Sequence, residues 1–261
     1  MMVTKSVPDT LQIREEGDIL WIGLNRPDKR NAFNDALILG IETVFENIPS
    51  HIRCAIIYGM GKHFSAGLDL SELKERDAVQ GIFHSRMWHR VLEKVQYGSV
   101  PVVAVLHGAV VGGGLELAAA CHIRVADKST FYALPEGQRG IFVGGGAAVR
   151  LPKLIGMARM TDMMLTGRVY HAEEGERIGL AQYLVDEGQG LEKGKELALK
   201  IASNAGMTNY ALTHVLPRIA DSGQTEGLLL ESMMAAIAQS APEAKQRLKD
   251  FLEGRAKKVG E

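Results

Sequence analysis

Short apolar stretches alternate with helical patterns through the first part of the chain. Residues 19–24 (ILWIGL), 54–58 (CAIIY) and 102–106 (VVAVL) are almost entirely apolar, which is typical of strands that are buried on both faces. Between these stretches, apolar side chains recur at helical spacing after Asn34 and again over about 79–95. This pattern predicts two helices, the first with Asn34 as its N-cap. Strands and helices that alternate in this way predict an α/β fold.

The pattern becomes almost entirely helical in the last third of the chain. After residue 158, the only clear strand signal is at 182–185. We therefore place a boundary near residue 200, with an α/β core over 1–200 and a helical region over 201–261. The predicted helices of the last part cover about 191–204, 209–220, 225–239 and 242–255.

Composition and charge exclude several classes of protein. The chain has 261 residues, of which 46% are hydrophobic, and its 30 Lys and Arg nearly balance 31 Asp and Glu. A net charge of −1 lacks the basic excess of nucleic-acid-binding proteins, so we expect no nucleic-acid partner. No apolar stretch approaches the length of a membrane span, and residues 1–10 lack the apolar core of a signal peptide. We therefore expect a cytoplasmic protein without a membrane partner.

The reactive side chains are few and show no metal-binding pattern. Cys54 and Cys121 are the only cysteines, and two thiols make neither a disulfide framework nor a zinc cluster. We interpret both as buried apolar residues. The eight histidines show no ligand spacing, so we expect no metal site. The segment 63–67 (HFSAG) approaches the nucleophile elbow of serine hydrolases, which leaves a serine esterase using Ser65 as an alternative.

Glycine is the residue type in excess, and six of the 29 glycines form two triplets. The triplet 112–114 lies between a predicted strand and a predicted helix, where free N–H groups and the helix dipole favour an anion. The sequence alone leaves open whether this triplet binds such a group or only makes a tight turn. Neither this triplet nor the triplet 144–146 fits a dinucleotide or nucleoside-triphosphate fingerprint.

Two glutamates accompany these triplets. Glu116 falls in the first turn of the helix after the first triplet, and Glu136 lies in a loop before the second triplet. Either could simply be a dipole partner or a solvated side chain. If both entered one dry pocket, their repulsion would raise the pKa of one of them, as an acid–base pair requires.

Several motifs, in order along the chain, resemble the crotonase superfamily, the enoyl-CoA hydratase/isomerase group. The resemblance covers essentially the whole chain. The matching segments are 24–27 (LNRP) with Asn31 and Ala32, 64–70 (FSAGLDL), 112–118 (GGGLELA), and 134–136 (LPE) with Gly140.

The resemblance implies a spiral of ββα units followed by a C-terminal helical trimerisation region. It also implies that the N–H groups of Leu68 and Gly113 form an oxyanion hole for a thioester carbonyl. Glu116 and Glu136 would then act as the acid–base pair that adds water, with Gly144 beside that water. On this interpretation the first triplet places a donor N–H beside Glu116, and the second triplet clears space for water beside Glu136.

The resemblance further implies an acyl-CoA partner, self-association as a trimer or a dimer of trimers, and no metal or redox cofactor, because coenzyme A belongs to the substrate. A basic residue of a neighbouring subunit, Lys257 or Lys258, would assist. The residues that we expect at the substrate and its CoA carrier are Lys29, Arg30, Ala32, Ala66, Gly67, Asp69, Leu70 and Gly144.

We therefore predict an enoyl-CoA hydratase that adds water across the double bond of an α,β-unsaturated acyl-CoA thioester. The alternatives are an enoyl-CoA isomerase, or hydrolysis and breakdown of a substituted acryloyl-CoA thioester. The segment 79–95 carries Phe83, Met87 and Trp88, which predicts an apolar acyl pocket. The sequence departs from the family pattern at His122 and over 142–144 (FVG). We expect these departures to affect which acyl group is bound more than they affect the hydration chemistry.

Overall fold

A computed structural model describes residues 7–72 and 75–255 of the chain, with the side chain of Glu72 outside the description. The described chain contains two sheets and eleven α-helices. The strands are β1 (Leu11–Glu16), β2 (Ile19–Leu24), β3 (Cys54–Gly59), β4 (Val102–Leu106), β5 (Ala109–Val111), β6 (Ile123–Asp127), β7 (Phe131–Ala133), β8 (Tyr170–His171) and β9 (Tyr183–Val185). The helices are α1 (Asp35–Glu46), α2 (Ala78–Gln96), α3 (Gly113–Ala120), α4 (Ala147–Ile155), α5 (Met157–Thr166), α6 (Ala172–Ile178), α7 (Gly190–Ala202), α8 (Gly206–Tyr210), α9 (Leu216–Asp221), α10 (Gln224–Ser240) and α11 (Pro242–Leu252).

The larger sheet has six strands in the order β1-β2-β3-β4-β6-β9. β1 pairs antiparallel with β2, and every later pairing in this sheet is parallel. The three long apolar stretches predicted as buried strands are β2, β3 and β4 at the centre of this sheet. β1, β5, β7 and β8 were not predicted. β1 is an edge strand with polar residues at most positions, and β8 has only two residues, so neither carries a strong apolar signal.

Both faces of the central strands are covered, which explains why their sequences lack polar residues. Side chains such as Leu20 and Ile22 pack on one face in a core shared with α1, α2 and α3. Ile19 and Trp21 point to the opposite face, where α7 packs. Continuous apolar strands are typical of this arrangement because successive side chains of one strand point alternately into the two cores.

The second sheet has three strands in the order β5-β7-β8 and holds the glycine-rich loops in place. An isolated bridge joins Ser65 to Val110 of β5, and another joins Phe33 to Leu68. The loop 65–69 is therefore fixed from both sides by backbone pairing. α1 begins after Asn34, whose side chain accepts a hydrogen bond from the N–H of Leu37, so the predicted N-cap is confirmed.

Residues after Ala202 form a separate compact unit. It contains α8, a π-helical turn over Ala211–Val215, α9, α10 and α11, and no strand within its described residues. α10 exposes a series of large apolar side chains: Leu228, Leu229, Leu230, Met233 and Ile237. A role for this unit in self-association stays a prediction. Within the described ranges, no helix has both the length and the apolar character needed to cross a bilayer.

The contact between α7 and β4 gives a test of the fold. A Cβ added at Gly194 would lie 2.5 Å from Cγ2 of Val105, which is buried and short and therefore has little freedom to move. We expect Gly194→Ala to lower the free energy of unfolding by about 1–3 kcal/mol, as overpacked core positions do. Gly81 of α2 has open space around its Cβ position, so Gly81→Ala should instead stabilise its helix by about 1 kcal/mol or less. Urea unfolding of both variants checks this, and equal effects would contradict the predicted close approach.

Candidate active site

One cavity of about 400 Å³ is lined by both glutamates and by two glycines of each triplet. Its walls come from the loop 66–70, one face of α2, the N-terminus of α3 and the loop 139–145. Of the residues expected at the site, those lining this cavity are Ala66, Gly67, Leu68, Leu70, Gly113, Glu116, Glu136 and Gly144. A cavity of this size suits a small organic group.

Glu116 lies in the first turn of α3 and is 5% exposed. Its Oε1 accepts hydrogen bonds from the N–H groups of Gly145, at 2.8 Å, and Ala147, at 3.1 Å. Ala147 begins α4, so the carboxylate of Glu116 meets the N-termini of two helices. Both helix dipoles favour negative charge at this place. Burial nevertheless raises the pKa of Glu116, while the two N–H donors and the charge of Arg150 oppose that rise.

Glu136 lies between Pro135 and a short 3-10 helix, Gly137–Arg139, and is 8% exposed. Its Oε2 is buried and has no hydrogen-bond partner among residues 7–72 and 75–255. Burial raises the pKa of Glu136, and the negative charge of Glu116 raises it further. The backbone N–H of Glu136 and the charge of Arg139 act in the opposite direction. The site therefore holds two neighbouring carboxyl groups that differ in surroundings: Glu116 has two external N–H donors, whereas Glu136 presents an unsatisfied oxygen.

The backbone N–H groups of Leu68 and Gly113 lie side by side at this cavity. A Cβ added at Gly113 would be 3.8 Å from the nitrogen of Leu68, and one added at Gly67 would be 3.4 Å from the nitrogen of Gly113. In the described part of the chain, neither N–H donates to another group. Gly67 has φ +88° and lies against Val111, so only glycine fits there without strain. The geometry provides two free donors for one oxygen.

One glycine of each triplet lies against a carboxylate that is remote from it in the sequence. A Cβ at Gly112 would lie 2.7 Å from Oε1 of Glu136, and one at Gly145 would lie 2.6 Å from Oε2 of Glu116. Gly145 reaches Glu116 because the loop 139–145 folds back over the N-terminus of α3. That the first triplet places a donor N–H beside Glu116, and that the second clears space for water beside Glu136, stays a prediction. Gly144 lines the cavity itself, and a Cβ there would make only ordinary contact with Ser85.

Asp69 does not line the cavity but fixes the loop that does. Its side chain is 6% exposed, pairs with Arg26 at 2.9 Å and accepts hydrogen bonds from the N–H and hydroxyl of Ser71. These hydrogen bonds, that of Ser71 first, lower the pKa of Asp69. Asn31 has φ +54° and bonds to Arg26, Met60 and His63 through its side chain. The motif residues Arg26 and Asn31 are thus loop anchors, a role that the sequence analysis did not assign.

Ser65 is fully buried, and its hydroxyl donates to the carbonyl of Asn31 at 2.8 Å and accepts from the N–H of Gly67 at 3.2 Å. No histidine within the described ranges hydrogen-bonds to it. His63 instead accepts the N–H of Ala109 through Nδ1. The geometry does not support a serine nucleophile at this position. Ser65 holds the loop in shape.

The remaining expected CoA contacts lie outside the cavity. Lys29 and Arg30 are exposed, and Ala32 is buried beneath them. Their contact with the carrier stays a prediction, and Lys257 and Lys258 lie outside the described residues. Cys54 and Cys121 are free and buried, as expected, and burial raises the pKa of each thiol to about 12. The described residues contain no group of three His, Cys, Asp or Glu side chains placed to hold a metal ion.

The side chains of α2 that line the cavity are not all the ones expected from the sequence. Trp88 lines the cavity, but Phe83 points to solvent with 70% exposure and Met87 packs against the main core. The residues of this wall that the sequence analysis missed are Arg76, Gly81, His84 and Ser85. Gly81, His84, Ser85 and Trp88 recur at helical spacing, so this face of α2 could have been found once its orientation was known.

Comparison with known proteins agrees with this geometry. The model of the enoyl-CoA hydratase/isomerase family matches residues 14–260. The chain is 30% identical to the short-chain-enoyl-CoA hydratase of Clostridium acetobutylicum over 93% of this chain and 94% of that protein. It is 56% identical to a solved structure from Rhodopseudomonas palustris that is provisionally named an enoyl-CoA hydratase. The two structures align with a TM-score of 0.93, over 97% of this chain and 98% of that one. An enoyl-CoA hydratase structure from Bacillus anthracis aligns with a TM-score of 0.88 at 29% identity, over 94% of this chain and 97% of that one.

The chain therefore belongs to the enoyl-CoA hydratase/isomerase family. The predicted family and the predicted crotonase-like α/β fold class are both confirmed.

The surroundings of Glu136 predict a stability that depends on pH. Because its folded-state pKa is raised, its contribution to stability is present at low pH and is lost as the pH rises through that pKa. Glu136→Gln stays neutral at every pH. The melting temperature of this variant should therefore exceed that of the wild type by an amount that grows from pH 4 to pH 8.

Glu196→Gln, on the exposed surface of α7, is the matched control for the pH dependence of Glu136→Gln. Lys200 and Lys193 lower the pKa of Glu196 to about 2, so its contribution is present above its unfolded-state pKa and is lost as the pH falls towards 2. This variant should melt at or slightly below the wild-type temperature at neutral pH, since surface ion pairs contribute little. A Glu136→Gln difference that stays flat with pH would contradict the raised pKa.

Proposed function

We propose that this protein adds water across the double bond of an α,β-unsaturated acyl-CoA thioester. The observation that carries the proposal is the convergence of two buried carboxyl groups and two free N–H donors on one cavity. This arrangement matches the charges of the reaction, because hydration puts negative charge on the thioester oxygen and moves two protons. The names of the relatives support the same chemistry.

The N–H groups of Leu68 and Gly113 receive the thioester oxygen. As the hydroxyl adds, this oxygen takes enolate charge, which the two donors stabilise by roughly 3–4 kcal/mol each. The donors are fixed before the substrate arrives, since β5, Phe33 and Asp69 hold the loop 65–69 in place. No reorganisation is then required during the reaction.

The carboxyl groups divide the protons between them. Glu116 in its ionised form removes a proton from water while the water oxygen forms a bond to Cβ. Glu136 in its protonated form delivers a proton to Cα as the enolate collapses. The substrate gains one water, and one proton must then pass from Glu116 to Glu136 to restore the starting state.

The two environments support these roles. The N–H groups of Gly145 and Ala147 stabilise the charged form of Glu116. The unsatisfied Oε2 of Glu136 and the repulsion from Glu116 favour its protonated form. Isomerisation moves one proton within the substrate and needs only one carboxyl group, so the presence of both groups favours hydration. Hydrolysis of the thioester remains the outcome that product analysis must separate.

We further propose that the enzyme needs no cofactor beyond the coenzyme A of its substrate, and that it works in the cytoplasm. The exposed leucines of α10 support self-association as a trimer or a dimer of trimers, because a monomer seldom exposes so many large apolar side chains on one helix. Residues 1–200 would then carry the active site, and residues 201–261 would carry self-association, as predicted from the sequence.

The acid–base roles predict that Glu116→Gln and Glu136→Gln each lower kcat for hydration of crotonyl-CoA by about 100-fold or more, in the range of general acid–base catalysis. Both variants should fold, because glutamine keeps the shape of the side chain. Glu196→Gln removes a carboxylate far from the cavity and should retain wild-type activity. Product masses identify the reaction: hydration adds one water, isomerisation leaves the mass unchanged, and hydrolysis releases free CoA. Full activity in either cavity variant would refute the two-carboxylate mechanism.

A further inference from the structure

Two arginines, Arg76 and Arg139, line the cavity. Arg76 precedes α2 and Arg139 ends the short 3-10 helix after Glu136. No salt bridge or side-chain hydrogen bond joins either of them to another residue among 7–71 and 75–255. The other arginines near the site are engaged: Arg26 pairs with Asp69, and Arg150 bonds to Gln96 and Gly145. Guanidinium groups that face a cavity without a partner are available to a ligand.

The two arginines differ in their distance from the reacting groups. The charge of Arg139 lowers the pKa of Glu136, so this cation acts on a catalytic carboxyl group. Arg76 lies at the other end of the wall formed by α2. Trp88 reaches the catalytic end, where its ring would lie 2.9 Å from a Cβ at Gly113 and 3.0 Å from a Cβ at Gly145. Gly81 lies two helical turns earlier, about 10 Å along the axis, and Arg76 precedes it.

The histidine on this wall already has a partner. His84 lies between Gly81 and Trp88, and its Nε2 is 3.2 Å from Oδ1 of Asp35. Ser85 donates its hydroxyl to the carbonyl of Gly144 at 2.6 Å. His84 and Ser85 thus have hydrogen-bond partners, and the apolar side chains that line the cavity include Trp88, Phe142 and Val143. Arg76 is left as a cation beside this apolar lining, without a partner among residues 7–71 and 75–255.

We propose that the acyl chain of the substrate ends in a carboxylate, which Arg76 binds at the end of the cavity remote from Glu116. This inference rests on the proposed hydratase function and names its substrate class: enoyl-CoA thioesters of dicarboxylic acids. A guanidinium group matches a carboxylate with two parallel hydrogen bonds. The apolar stretch beside Trp88 accommodates the methylene groups between the double bond and the carboxylate.

The test compares two six-carbon trans-2-enoyl-CoA thioesters that differ only in a terminal carboxylate. For the wild type, kcat/KM should be at least tenfold higher for the carboxylated substrate. Arg76→Gln should remove this preference, mainly through a higher KM for the carboxylated substrate. Its kcat/KM should fall at least tenfold more for the carboxylated substrate than for the uncharged one, since charged hydrogen bonds of this kind contribute only when the partner is present.

Arg86→Gln is the matched control, because Arg86 is an exposed arginine of the same helix that does not line the cavity. It should leave the preference unchanged and show that overall charge is not responsible. Equal use of both substrates by the wild type would overturn the inference while leaving hydration in place. A similar rise in KM for both substrates in Arg76→Gln would also overturn it, because Arg76 would then bind the CoA carrier. If the wild type hydrates neither substrate, the proposed function itself fails.

Discussion

The carboxylate of Glu116, held between the N-termini of α3 and α4, is the interaction on which the site depends. It is buried, which disfavours its charge, yet it accepts the N–H groups of Gly145 and Ala147, which favour that charge. The same two hydrogen bonds tie the loop 139–145 down onto α3. That loop carries Gly144 and closes the cavity that Glu136 enters. A single buried acceptor therefore fixes both the proposed catalytic base and the cavity wall formed by the loop 139–145.

Much of the site is made of backbone, which explains where the chain needs glycine. Gly112 leaves room for Glu136, Gly145 leaves room for Glu116, and Gly67 allows the oxyanion loop to pass close to Val111. A side chain at any of these positions would displace a reacting group or the loop that bears it. The rigid surroundings of the loop 65–69, namely Asn31, Ser65 and the Arg26–Asp69 pair, keep the free N–H donors aimed at one point.

The division of charge within the cavity links catalysis to substrate choice. The two carboxyl groups proposed to move the protons of hydration line this cavity. Arg76, proposed to bind a carboxylate at the distal end of the acyl chain, lines it too. The long side of α2 spans these ends, with Trp88 near the reacting atoms and the helix start near Arg76. On these proposals, chemistry and specificity are set by different parts of one helix and its neighbours, and they can be altered separately.

The sequence by itself determined the central sheet, the principal helices and the candidates Glu116 and Glu136, because continuous apolar strands, helical spacing and glycine-rich motifs are local signals. The short strands β5, β7 and β8 escaped it, since pairing rather than local pattern makes two or three residues a strand. Only the tertiary structure decided which glycine triplet faces which carboxylate, that Asp69 anchors a loop, and that Phe83 faces solvent while Arg76 and His84 face the cavity. These outcomes depend on contacts between residues far apart in the chain, and on the rotation of α2 about its axis, neither of which is encoded in local spacing.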